Sequence, residues 1–210
     1  MLTGKKIVLG VSGGIAAYKM ANVASMLSKL HADIHVVMTE NATHFITPET
    51  FEVLTGNHCY TDTFDRCMEL HVPHIALGTQ ADAILIAPAS ADVVGKIANG
   101  IADDMLTTCV LPATCPVMLA PSMNVHMYEN PIVQDNMKKL ASYGYEIIEA
   151  DEGYLACRDI GKGKLPPEHV LVDPCLRNGQ RRCRQEGACD SRCHTGVHRS
   201  GPLYHESFDW

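Results

Sequence analysis

The 210-residue chain has no apolar run near the roughly 20 residues that cross a bilayer as a helix. Its start, six residues and then Ile7, Val8 and Leu9, holds a far shorter apolar stretch than a signal peptide requires. Aromatic residues are scarce at 6%, with a single tryptophan. Basic charge is outweighed: 17 Lys and Arg stand against 24 Asp and Glu, for a net charge of −7. Without a basic stripe, a duplex or phosphate-backbone binder is excluded. With no membrane segment and no leader, the chain is expected to be cytoplasmic. Cysteine is not scarce. The nine cysteines of a cytosolic chain are expected to be thiols rather than disulfides. Apolar residues make up 46% and charged residues 20%, as in an ordinary globular domain with a sizeable core.

Composition shifts near Asp173. Residues 175–210 carry four of the cysteines (Cys175, Cys183, Cys189, Cys193), six arginines and no lysine. Six arginines against four acids give this segment +2, so the rest of the chain carries −9. The segment shows neither period 2 nor period 3.6. We therefore expect two parts: a body over 1–173 and an irregular, disordered tail over 174–210. The spacing Cys183, Cys189, Cys193, His194 lacks the paired C-x-x-C of zinc sites, so no metal is expected.

The body alternates strand and helix signals. Strands are expected at 6–11, 32–38, 81–87, 116–120 and 145–150, and helices at 15–30, 92–105 and 131–143. The 81–87 run is almost wholly apolar, as a strand covered on both faces should be. The pattern implies an α/β fold: a doubly wound, Rossmann-like (flavodoxin-like) parallel sheet with helices on both faces.

In such sheets ligands bind beyond the carboxyl ends of the strands, where the strand order reverses. The loop Gly10-Val11-Ser12-Gly13-Gly14-Ile15-Ala16 reads either as a phosphate cradle or as a plain strand-to-helix turn. Its spacing is neither G-x-G-x-x-G nor a Walker loop. The second loop, Thr39 to Phe45, offers a hydroxyl and an aromatic ring, or a helix cap followed by a core Phe45. The third, Pro88-Ala89-Ser90-Ala91-Asp92, has small side chains that let a flat ring approach the backbone, or is a capped turn. The fourth, Pro121-Ser122-Met123-Asn124, presents an amide that both donates and accepts. His74 reads as a base or as a satisfied surface histidine. Cys157, beside Arg158 in a Gly-rich stretch (153–163), reads as a thiol on a mobile flap or as a flexible surface loop.

Five ordered motifs within residues 3–172 resemble the flavin-dependent cysteine decarboxylases, nearest the phosphopantothenoylcysteine decarboxylases of coenzyme A biosynthesis. They are Gly10 to Lys19, His74-Ile75-Ala76-Leu77, Pro88 to Asp92, Pro121 to Asn124 with Met127-Tyr128, and Ala156-Cys157. The resemblance implies FMN held by Ser12, Gly13, Ile15, Thr39, Phe45, Ser90 and Ala91. It implies decarboxylation of 4′-phosphopantothenoylcysteine to 4′-phosphopantetheine through thiol oxidation, CO2 loss and re-reduction. It gives His74 the role of base or electrostatic partner, Asn124 that of substrate-carboxylate holder, and Cys157 that of proton donor. It also implies a homotrimer, or a dodecamer of trimers, with the site at a subunit interface. Two positions depart: Arg158 stands where relatives usually have Gly, and Asp92 replaces the commoner Asn. Competing functions are a peptidyl-cysteine decarboxylase, whose relatives lack the Ala-Cys flap, a flavin prenyltransferase, and a non-catalytic flavin-binding regulatory subunit.

The tail is expected to be a frameshift product. Gly187 to Ser191, back-translated as GGT GCT TGT GAC AGC, reads Val-Leu-Val-Thr one base on, which resembles the start of the synthetase domain of bifunctional relatives. Residues 203–210 shift likewise to Tyr-Ile-Thr-Asn-His-Ser-Thr-Gly. The adjacent frame of the coding DNA tests this; no synthetase motif there refutes it.

Overall fold

A computed structural model describes residues 1–64, 73–154 and 159–189, with 179–189 as backbone only. Strand β1 (Lys6–Val11) leads through a 3-10 turn (Ile15–Lys19) into α1 (Met20–Lys29). Then follow β2 (Asp33–Met38), α2 (Glu40–Thr43), α3 (Pro48–Thr55), β3 (Cys59–Tyr60), α4 (Pro73–Gln80) and β4 (Ala83–Ala89). The second half holds α5 (Ala91–Ala98), α6 (Met105–Val110), β5 (Val117–Pro121), α7 (Val125–Tyr128), α8 (Pro131–Ser142) and β6 (Glu146–Ile147). A hairpin of β7 (Asp151–Tyr154) and β8 (Ile160–Lys164) precedes α9 (Glu168–Cys189).

The six strands β3-β2-β1-β4-β5-β6 form one parallel sheet, the doubly wound fold expected from the alternating signals. The chain winds outward from β1 through β2 to β3, then crosses to β4 on the other side of β1. The order therefore reverses between β1 and β4, where Leu9 pairs with Leu85.

Alternation along β1 separates two cores. Ile7, Leu9 and Val11 face a cluster with Met20, Val23 and Leu27 of α1, Phe51 of α3 and Cys175 of α9. Val8 faces the other cluster, with Leu77 of α4, Val93 of α5, Leu106 of α6 and Leu140 of α8. Every residue of β4 is buried, as its unbroken apolar run foretells.

Three expectations are revised. The single helix expected over 92–105 is two helices. The first ends at Asn99, Gly100 adopts a left-handed φ of 69°, and Asp104 restarts the chain with a capping box to Thr107. The strand expected over 145–150 is only Glu146–Ile147. The boundary placed at 173/174 falls inside α9, whose Cys175 and Asn178 are buried with the body. The helical stripe Leu171, Cys175, Asn178 straddles that boundary, so neither side of it showed a period by itself. Residues 190–210, the rest of the tail expected to be disordered, lie outside the described residues.

Candidate active site

The loops after β1, β2, β4 and β5 converge at the carboxyl edge of the sheet, across the reversal point. Gly13, Gly14, Ile15 and Ala16 face Ser90, Ala91, Ser122, Met123, Asn124 and Met127 around a cavity of about 280 Å³, with Gly163 of β8 completing the wall. A second cavity of about 400 Å³ shares Gly13, Ser90, Ala91 and Met127 and continues to Thr39, Asn41, Lys96 and Asp104. Together they lie in the size range of small-molecule and cofactor sites, roughly 300–1,000 Å³.

The loops interlock below the cavities. Ser12 is fully buried; its hydroxyl donates to the Pro88 carbonyl at 2.7 Å and accepts the Ser90 N–H at 2.9 Å. The Ser12 N–H also reaches Pro88 O, at 3.3 Å. The hydroxyl proton is thus committed to protein, and Ser12 ties the first loop to the third. The second loop packs so closely that a Cβ on Gly13 would stand 2.5 Å from Asn41 Cβ. Glycine is required there for close approach.

Polar groups remain for a ligand. The 3-10 turn starts at Ile15, so the N–H groups of Ile15 and Ala16 find no acceptor within it, and the field of the turn and α1 favours an anion there. Thr39 is buried at the wall of the second cavity, and its hydroxyl has no hydrogen-bond partner among the described residues. A buried hydroxyl without a partner costs free energy that a ligand can recover. The far end of that cavity is acidic. Lys96 lies 3.2 Å from Asp92, 3.1 Å from Asp103 and 3.7 Å from Asp104. Burial pulls the Lys96 ammonium down, but its hydrogen bonds to Asp103 and Asp92 and the charges of Asp92 and Asp104 more than offset it and hold it above the ordinary lysine value. Three carboxylates around one ammonium disfavour an anion at that end of the cavity.

Asn124 caps α7. Its Oδ1 accepts the His126 N–H at 2.9 Å, and its Nδ2 donates to Asp159 Oδ2 at 3.1 Å. The β7–β8 hairpin lies against this loop: Met123 N–H donates to Gly163 O at 3.1 Å, and a Cβ on Gly163 would run into Met123 O.

The structure brings together Gly13, Ile15, Thr39, Ser90, Ala91 and Asn124 of the expected site. Ser12 sits beneath them. Phe45 is 48% exposed and lines neither cavity. His74 also lines neither. It stands at the start of α4, with a buried Nδ1 that has no hydrogen-bond partner among the described residues. Cys157 and Arg158 lie outside the described residues. Lys96 emerges as a wall residue that the sequence reading did not name, and Met127 and Gly163, named there only within longer stretches, join it.

The flavoprotein family matches residues 1–178. The chain belongs to that family. Coenzyme A biosynthesis bifunctional protein CoaBC of Bacillus subtilis is 49% identical over 172 residues, covering 81% of this chain and 42% of that protein. The chain thus spans under half the length of the bifunctional relatives it matches. The probable phosphopantothenoylcysteine decarboxylase of Streptococcus mutans is 44% identical over 170 residues, covering 80% of this chain and 95% of that protein. Among solved structures, the FMN-dependent cysteine decarboxylase SpaF superposes with a TM-score of 0.75 at 33% identity, covering 88% of this chain and 99% of that one. A cysteine-to-serine mutant of PPC decarboxylase complexed with pantothenoylaminoethenethiol superposes with a TM-score of 0.71 at 29% identity, covering 87% and 98%.

Proposed function

We propose that the chain is a phosphopantothenoylcysteine decarboxylase that uses FMN to convert 4′-phosphopantothenoylcysteine into 4′-phosphopantetheine. The observation that carries this reading is the position of Asn124, an amide with a fixed orientation, on the wall of a cavity whose other side is the Gly13–Ala16 loop. The relatives of that name and the FMN-dependent neighbour support it. The residues present fit FMN: free N–H groups at Ile15 and Ala16 suit its phosphate, the unpartnered Thr39 hydroxyl suits its polar side chain, and the small Ser90 and Ala91 leave room for its flat ring.

An amino-acid carboxylate leaves only if the electron pair it abandons has an acceptor one bond away. Bound FMN would supply the redox chemistry, a two-electron sink while the substrate thiol is oxidised to a thioaldehyde and a two-electron source for reducing the enethiol left after CO2 departs. Pantothenoylaminoethenethiol, held by the PPC decarboxylase mutant, is an enethiol of this class.

The chain's residues position and protonate. Because the His126 N–H pins Asn124 Oδ1, the Asn124 NH2 presents donors, which suits a carboxylate. His74 assists the oxidation as base or electrostatic partner. Cys157 supplies the proton of the final reduction.

Since His74 lines neither cavity of its own chain, the reading places it in the site of a neighbouring copy within a homotrimer, or a dodecamer built from trimers. Exposed apolar side chains near the site favour such a contact: Ile15 (59%), Tyr18 (57%) and Met127 (48%). Among the described residues no helix is long and apolar enough to cross a membrane. Among the described residues, Cys59, Cys109 and Cys175 are thiols outside any disulfide, which suits the cytosol. The reading also takes residues beyond about 174 as out-of-frame sequence.

The test is to incubate purified protein and FMN with 4′-phosphopantothenoylcysteine and weigh the product. Loss of one CO2, giving 4′-phosphopantetheine, supports the reading. Unchanged substrate beside a yellow, flavin-loaded protein refutes the substrate assignment.

A further inference from the structure

Asn124 already holds a carboxylate. Its Nδ2 donates to Asp159 Oδ2 at 3.1 Å, and the His126 N–H on Oδ1 keeps that end of the amide from turning away. Asp159 comes from the start of the β7–β8 hairpin's second strand, which two further contacts seat on the Asn124 loop. Met123 N–H donates to Gly163 O, and Gly161 lies so close to Val125 that an added Cβ would stand 2.9 Å from Val125 Cγ2. Asp159 is exposed, so burial does not force its carboxylate onto Asn124. The contact joins residues 35 apart in sequence and stands at the wall of the cavity proposed to take the substrate.

We infer that Asp159 is a built-in competitor for the substrate carboxylate at Asn124, a positioning residue that keeps the amide oriented in the free enzyme and yields it when substrate arrives. This inference rests on the function proposed above. A donor held by its own chain has to be released before it binds a ligand, and the apparent affinity falls by the fraction of molecules in which it is free. Asp159 also repels an incoming carboxylate while it remains nearby. Both effects discriminate. They weaken binding of ligands that carry the carboxylate and leave those without it untouched.

The experiment uses the FMN-loaded enzyme and two ligands that cannot be turned over for want of a thiol: 4′-phosphopantothenoylserine, which has the carboxylate, and its decarboxylated ethanolamine counterpart, which does not. Affinities are measured by calorimetry for the wild type, Asp159→Ala, Asp159→Asn, Asn124→Ala and the Asp159→Ala/Asn124→Ala double variant. A self-contact present in about 70–90% of free molecules predicts that Asp159→Ala tightens the serine ligand roughly three- to tenfold. The ethanolamine ligand is expected to bind the wild type and Asp159→Ala alike. Asp159→Asn, which keeps an acceptor but loses the charge, is expected to fall between. In the Asn124→Ala background the gain from removing Asp159 is expected to vanish. Unchanged or weaker binding of the serine ligand to Asp159→Ala, or an equal change for both ligands, overturns the inference while the proposed function stands. If the wild type binds neither ligand, the proposed function fails and the inference fails with it.

Discussion

Replacing Ser12 by alanine separates two roles for one hydroxyl: tying loops together or touching the cofactor. The hydroxyl donates to Pro88 O at 2.7 Å and accepts from Ser90 N–H at 2.9 Å, in a residue with no exposed surface. In Ser12→Ala the carbonyl keeps the longer bond from the Ser12 N–H, but the Ser90 N–H loses the acceptor described for it. An orphaned, part-buried donor costs about 1–3 kcal/mol and the lost O–H···O bond about 1 more, for a total of about 2–4 kcal/mol. In a domain of this size each kcal/mol moves the melting point by about 2–4 °C, so a fall of roughly 4–16 °C follows. The assay is urea and thermal unfolding of the FMN-free protein at fixed protein concentration, because any oligomer links stability to concentration. The two tied loops line both cavities, so FMN affinity is expected to fall as well. An FMN-free variant as stable as wild type, with only FMN binding weakened, would refute the reasoning and return the hydroxyl to the cofactor.

Three further outcomes are expected. Burial pushes the Asp33 carboxyl up, but the Asn57 amide at 2.9 Å and His35 at 3.2 Å together hold it below its ordinary 3.8. Its contribution is therefore complete above that value and lost as pH falls through the folded one. The stability advantage of wild type over Asp33→Asn, from urea midpoints, should be larger at pH about 6 than at pH about 3; equal advantages contradict this. Burial raises the thiols of Cys59, Cys109 and Cys175 to about 12. Brief iodoacetamide treatment of the native protein, read by peptide mass spectrometry, should leave all three unmodified. Finally, His74→Asn and Asn124→Ala should each be inactive alone. On the proposed trimer, in which each site would draw one residue from each of two neighbours, random co-assembly of the two should restore about one quarter of wild-type activity; no recovery refutes that arrangement.

How much of this was legible in the sequence depended on range. Strands β1, β2, β4 and β5 were readable because their burial is periodic or continuous over consecutive residues. The rule that ligands sit beyond the carboxyl ends pointed to four loops, and Gly13, Ile15, Thr39, Ser90, Ala91 and Asn124 from them line two adjoining cavities. What was not legible involves partners far apart in sequence. Ser12 reads as an open donor until Pro88, 76 residues on, takes its proton. Lys96 reads as a surface cation until Asp103 and Asp104 fold back onto it from beyond Gly100. The short edge strands β3 and β6, two residues each, are too brief for any period to show. The hairpin β7–β8 hid behind its glycines, which read as a loop but serve close approach to Met123 and Val125.

The central claim is that this chain takes CO2 from a cysteine carboxylate. The most direct measurement is to supply 4′-phosphopantothenoylcysteine labelled with 13C at that carboxyl, with FMN, and to quantify 13CO2 against 4′-phosphopantetheine. The account predicts the two in equal amounts, with both abolished in Asn124→Ala. Flavin-loaded wild-type protein that releases no labelled CO2 would contradict it.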